Sequence, residues 1–164
     1  MIKRNIDIDE VATFINNCDP DTKIYIGCDS ERLRVGGVWY ADYILAVVVH
    51  INGNNGCRIF GAVQREREFG DNKANKPKMR LMNEVYKVTD LYLELSKHIA
   101  HDISVHLDLN PNEMCGSNVA VSEAVGYVKG MCGVIPFVKP EAFAASYAAD
   151  QFKSFASRRG VSVG

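Results

Sequence analysis

Two short runs carry acids where an apolar pattern breaks. YIGCDS at 25–30 ends on Asp29 and Ser30, and HLDLNP at 106–111 contains Asp108 and Asn110. Strand alternation has a period of two, which places Ile24, Ile26 and Cys28 on one face and Tyr25, Gly27 and Asp29 on the other. The same rule sets Val105, Leu107 and Leu109 against His106, Asp108 and Asn110. As parallel neighbours, the two runs would bring their carboxylates together near the C-terminal ends of the strands, where open α/β sheets hold their ligands. Clustered carboxylates repel, and each tends to take up a proton unless a cation compensates. A hard divalent metal suits them, since Mg²⁺ takes oxygen ligands from one or two carboxylates, water and substrate phosphate. Gly27, on the same face as Asp29, leaves room for an approach to the backbone. Taken singly, Asp29 reads equally well as a strand-end acid that starts an Asp-Ser turn.

Further acids fall on helical patterns. Glu84 interrupts the apolar stripe of Leu81, Val85 and Val88, while Asp150 follows Ala142, Ala144, Ala145, Ala148 and Ala149, small residues that let a helix approach a sheet closely. Ordinary roles stay open to both: a solvated helix acid for Glu84, and for Asp150 a pair with Lys153 on the same face.

The elements that must position these acids follow from periodicity. Asp7 with Glu10 resembles a capping box, and Ile8, Val11, Ala12 and Ile15 predict a short first helix over about 8–17. Runs at 23–30, 38–51 and 57–69 read as strands, and their Gly- and Asn-bearing connections favour an antiparallel meander. The third alternates Arg65 and Arg67 with Glu66 and Glu68, as an edge strand would. Helices are expected over about 78–100, 117–131 and 141–159, with strands at 102–111 and 133–140. The order predicts an α/β fold: a five-stranded mixed sheet, three strands antiparallel and then two parallel, with helices on its faces.

At 164 residues, 47% of them hydrophobic, the chain fits a single domain spanning 1–164. Its 19 Lys and Arg against 20 Asp and Glu produce no global field for nucleic acid or membrane, so any basic footprint is local. Five cysteines without a CxxC pair argue for reduced core thiols over a disulfide framework or zinc knuckle. No apolar window approaches a membrane span and the N-terminus lacks a signal-peptide core, so a cytoplasmic, membrane-free protein is expected.

Together, the topology and the acids resemble the ribonuclease H-like superfamily. More narrowly, IYIGCDS, HLDLNP, SNVAVSEAVGYVKGM and KPEAFAASYAAD are similar to the YkuK family of that superfamily, over about residues 8–155. The resemblance implies a two-metal site of Mg²⁺ or Mn²⁺. In it Asp29 would bridge both ions, Asp108 and Glu84 would hold one, and Asp150 the other; Glu94, on the same helix as Glu84, competes for its place. Such ions stand roughly 3.5–4 Å apart and serve an in-line phosphodiester displacement. A His-bearing loop before the last acid is missing; His106 is the substitute at hand, with a core histidine as its other reading. Ser30 and Asn110 are candidate supports for the acids, and Lys139 a candidate phosphate contact. Lys73, Lys76, Lys78 and Arg80, with Arg32 and Arg34, offer cations for a nucleic-acid partner, and Trp39, Tyr40 and Tyr43 offer rings for its bases.

The leading expectation is a metal-dependent nuclease acting on DNA or RNA. A non-catalytic nucleic-acid-binding or assembly protein on the same fold is the alternative, as is a hydrolase of a small phosphorylated molecule.

Overall fold

The computed structural model describes residues 5–51, 56–68, 76–109 and 118–138. Helix α1 (Ile8–Asn16) starts where the Asp7 carboxylate accepts a hydrogen bond from the Glu10 N–H, satisfying one of the free donors of the first turn. It buries Val11, Ala12 and Ile15 and stops one residue short of the expected reach.

Strands β1 (Lys23–Val35) and β2 (Val38–His50) pair antiparallel along their whole length, from Lys23 opposite His50 to Val35 opposite Val38. The hairpin closes on Gly36 and Gly37 at φ of 57° and 79°. Two consecutive residues at positive φ give the turn whose twist matches the strands it joins, which is why glycine occupies both. Strand β3 (Cys57–Arg67) adds antiparallel to β2 and forms the edge, as its alternating charges suggested. Helix α2 (Lys76–Ser96) then crosses to β4 (Ile103–Leu107), which lies parallel to β1, and helix α3 (Asn118–Cys132) follows. The sheet order is β3-β2-β1-β4.

One face of this sheet carries the main core. Ile24, Ile26 and Cys28 of β1, Leu45, Val47 and Val49 of β2, and Val105 and Leu107 of β4 meet Val11 and Ile15 of α1, Val85, Val88 and Leu95 of α2, and Ala124 and Val128 of α3. The opposite face has a smaller cluster, Ala46 and Val48 with Tyr25 and Ile59 beside them. Among the described residues no helix is long and apolar enough to cross a membrane.

Three expectations change. Strand β1 does not end at Ser30 but runs to Val35, because the hairpin ladder with β2 continues past the acid. Strand β4 ends at Leu107, leaving Asp108 beyond it. The expected fifth strand at 133–140 is reduced to a parallel bridge between Phe137 and His106, so the described sheet has four strands. Phe137 donates to the Val105 carbonyl and accepts from Leu107, both at 2.8 Å. Pro136, which has no N–H to give, precedes it and limits the ladder. Helices α2 and α3 match two expected helices within a few residues, and the helix expected at 141–159 lies outside the described residues.

Candidate active site

The register of the parallel pair places the first two acids. Ile24 to Cys28 lie opposite Ile103 to Leu107 in unbroken order, and Asp29 and Asp108 are the residues that follow this last pair on the two strands. There β4 leaves the sheet: the Leu109 N–H turns back to the Leu107 carbonyl at 2.8 Å, a three-residue turn centred on Asp108. Strand β1 continues, with Asp29 opposite Ile44 of β2. Among the described residues, the acids therefore stand where β1 has no strand beside it on the β4 side.

The helix acid comes in from the core face. Ser30, Tyr43 and Gln64 form one rung across β1, β2 and β3, and α2 binds each member of it. The Ser30 hydroxyl donates to Glu84 Oε1 at 2.6 Å, Asn83 Nδ2 donates to the Tyr43 hydroxyl at 3.1 Å, and Lys87 Nζ donates to Gln64 Oε1 at 2.6 Å. Lys87 also pairs with Glu66 at 3.3 Å. This row of polar contacts fixes both the rotation and the height of α2 against the sheet.

Glu84 is consequently buried at 8% exposure and is no solvated helix acid. Burial pushes its carboxyl up to about 8. The nearby charges of Asp29 and Asp108 raise it further, while the Ser30 hydrogen bond and the charge of Arg80 pull against the rise. Glu94, by contrast, keeps its side chain 57% exposed and pairs with Lys97 at 3.2 Å. Of the two competing helix acids, Glu84 is thus the one that shares the electrostatic neighbourhood of Asp29 and Asp108. Asp29 Oδ1 accepts the Ser30 N–H at 2.8 Å, so Ser30 touches two of the three acids, one through its backbone and one through its hydroxyl.

A family model described as ribonuclease H-like matches residues 7–154. The chain belongs to the ribonuclease H-like family. Nothing among curated proteins and nothing among solved structures matches it.

Within this ribonuclease H-like chain, the oxygen donors of the acid centre suit a hard divalent ion in kind. Their arrangement is looser: among the described residues no group of three or more His, Cys, Asp or Glu side chains is set to hold a metal ion. Asp29, Glu84 and Asp108 share a field rather than a closed cage. Asp150, Asn110 and Lys139 lie outside the described residues, as does the side chain of Lys76 in the first turn of α2.

Other candidates have partners among the described residues. Lys78 pairs with Glu123 of α3 at 3.4 Å, and Arg32 pairs with Glu68 at 2.8 Å. Tyr43 is buried under α2 and has no ring face to offer a base. His106 is buried between the rings of Tyr25 and Phe137, at 5.1 and 5.3 Å between centroids. Burial lowers its pKa to about 4, which favours the neutral ring at physiological pH. Cys28, fully buried beneath Glu84, stays a thiol because burial and that acid push its pKa well up. Periodicity had left Arg80 as one of several loop cations, although it lies four residues before Glu84, one helical turn away, and its charge acts on that acid.

Proposed function

We propose that this chain is a metal-dependent nuclease of the YkuK-like branch of its family, hydrolysing phosphodiester bonds of nucleic acid. The reading is supported by the placement of Asp29 and Asp108 just past the last paired residues of β1 and β4, and by buried Glu84, whose carboxyl their charges help to raise. A carboxyl held up to about 8 mainly by burial, and further by its neighbours' charges, is one whose ionisation a cation would favour. Asp29, Glu84, Asp108 and Asp150 would hold Mg²⁺ or Mn²⁺. When bound, such ions supply an activated water and neutralise charge on the leaving oxygen.

The chain's own residues prepare the site. Ser30 holds Glu84 by its hydroxyl and Asp29 by its N–H, so the carboxylates are oriented before substrate arrives. Arg80 offsets part of the negative field that would repel a phosphodiester. Substrate approaches the carboxylates at the ends of the paired β1 and β4 segments, and a cytoplasmic setting suits the free thiols of Cys18, Cys28, Cys57 and Cys132.

Calorimetric titration of the protein with Mg²⁺ and Mn²⁺ tests the reading. Binding should be clear for the wild type and lost in Asp29→Asn; a wild type that binds neither ion sinks it. A panel of labelled single-stranded, duplex, hybrid and branched DNA and RNA then identifies the substrate. Cleavage undiminished in Asp108→Asn would assign the activity to a contaminant. The open arrangement of the described acids favours a second reading, a nucleic-acid-binding or assembly protein that keeps the fold without turnover. Under it, oligonucleotides bind but none of the panel is cut.

A further inference from the structure

The sheet face opposite the main core carries a row of rings beside the acids. Strand alternation puts Tyr25, Gly27 and Asp29 of β1 on this face. Gly27 pairs with His106 of β4, and Phe137 pairs with His106 from the other side. The His106 ring stands 5.1 Å from that of Tyr25 and 5.3 Å from that of Phe137, centroid to centroid. Leu107 and Leu109 both stay buried in the main core, so the alternation carries through Asp108 and sets it on the same side as His106. The row of Gly27, His106 and Phe137 therefore lies one step below Asp29 and Asp108, about 7 Å along the strands.

Phe137 closes this row and is 46% exposed, although His106 behind it is buried. Its placement is firm. Two backbone hydrogen bonds of 2.8 Å tie it to Val105 and Leu107, and the next residue, Val138, packs against the main core on the other side. An aromatic ring held by its backbone, backed by a second ring and open to solvent is what an unstacked base takes, whatever its identity. A base inside a duplex is already stacked on its neighbours, so such a ring serves an unpaired nucleotide. The acids one step along the same face make the occupant a nucleotide, since they are where a metal-bound phosphate would sit.

We propose that Phe137, backed by His106, is a stacking platform for one unpaired base next to the phosphate held at Asp29 and Asp108, which makes a single strand or an unpaired segment the preferred substrate; the inference rests on the nuclease reading above.

Fluorescence anisotropy in Mg²⁺ tests it, with short, labelled, cleavage-resistant phosphorothioate single strands that carry one abasic nucleotide at each position in turn. An abasic nucleotide keeps its sugar and phosphate and loses only the base. One position should weaken wild-type binding about tenfold, within the range of a base–aromatic stack. Phe137→Leu should bind the intact strand more weakly by a similar factor, yet bind that abasic strand as well as the wild type does, because both changes remove the same contact. Phe137→Trp should keep the affinity, and the salt slope should be equal in all three proteins, since no phosphate contact is lost. Met131→Ser, which removes an apolar side chain of α3 that is 49% exposed, should bind as the wild type does. An abasic series with no sensitive position refutes the platform without recourse to any variant. So do losses that multiply when Phe137→Leu meets the abasic strand, and in both cases cleavage of the substrate panel still decides the nuclease reading. If the wild type binds no single strand, the platform is refuted as well, and the duplex and hybrid members of the panel decide the nuclease reading separately.

Discussion

The two halves of β1 make opposite demands on their residues. From Lys23 to Cys28 the strand has β2 on one side and β4 on the other, and Ile24, Ile26 and Cys28 are buried against the helices. From Asp29 to Val35, among the described residues, it pairs with β2 alone, and its side chains are half-buried or exposed. The inner half is held by apolar burial, the outer by ion pairs and the stack on Trp39. The proposed site falls at the boundary, where Asp29 follows directly on the part of β1 held by strands on both sides.

Substitutions on either side of that boundary should separate stability from function. The largest loss of stability belongs to the inner half: Ile26 is fully buried, and Ile26→Ala should cost about 2–5 kcal/mol in urea unfolding. A loss under 1 kcal/mol would mean the helices repack on the sheet. At the boundary, Asp29→Asn should leave the fold intact yet reduce divalent-ion affinity and cleavage more than ~100-fold, beyond what loss of a supporting contact costs.

Glu84 sharpens the contrast through pH. Its carboxyl is raised from an ordinary 4.5 to about 8 in the fold, chiefly by burial. The folded state therefore holds a proton that the unfolded chain releases, and stability should fall as pH rises from about 4.5 to 8, then level off. The slope approaches about 1.4 kcal/mol per pH unit at most. Thermal melts across that range should show the decline in the metal-free wild type and a flatter profile in Glu84→Gln. A wild-type profile as flat as that of Glu84→Gln would place the ionised acid in contact with solvent. The smallest effect belongs to the outer half, where Arg32→Ala should cost about 0.5–1 kcal/mol, the worth of a partly exposed ion pair and ring contact. A cost above 2 kcal/mol would mean the hairpin arm is part of the cooperative core.

Local pattern announced some of this and hid the rest. Alternation alone separates Asp29 from Cys28, and the apolar stripe of α2 marks Glu84 as unusual. The same stripe could not choose between Glu84 and Glu94, since both lie on the helix and only packing against Ser30 and the sheet decides which is buried. Tyr43 looked like a base-stacking ring because a strand pattern is silent on which face a helix will cover. The expected end of β1 at Ser30 differs from the structure for a related reason: the partner strand β4 ends opposite Cys28, while the hairpin carries β1 onward to Val35.

What the sequence determined by itself is what short-range physics controls: the cap at Asp7, the glycine turn at Gly36 and Gly37, the order of helices and strands, and the acids that interrupt their apolar faces. Only the tertiary structure decided that Asp29 and Asp108 follow the last paired residues of neighbouring parallel strands, that Glu84 is buried against the Ser30 hydroxyl within reach of their charges, and that Arg32 is paired with Glu68. Those outcomes depend on register and on desolvation. Both are set by residues dozens of positions apart in the chain, and no local pattern contains them.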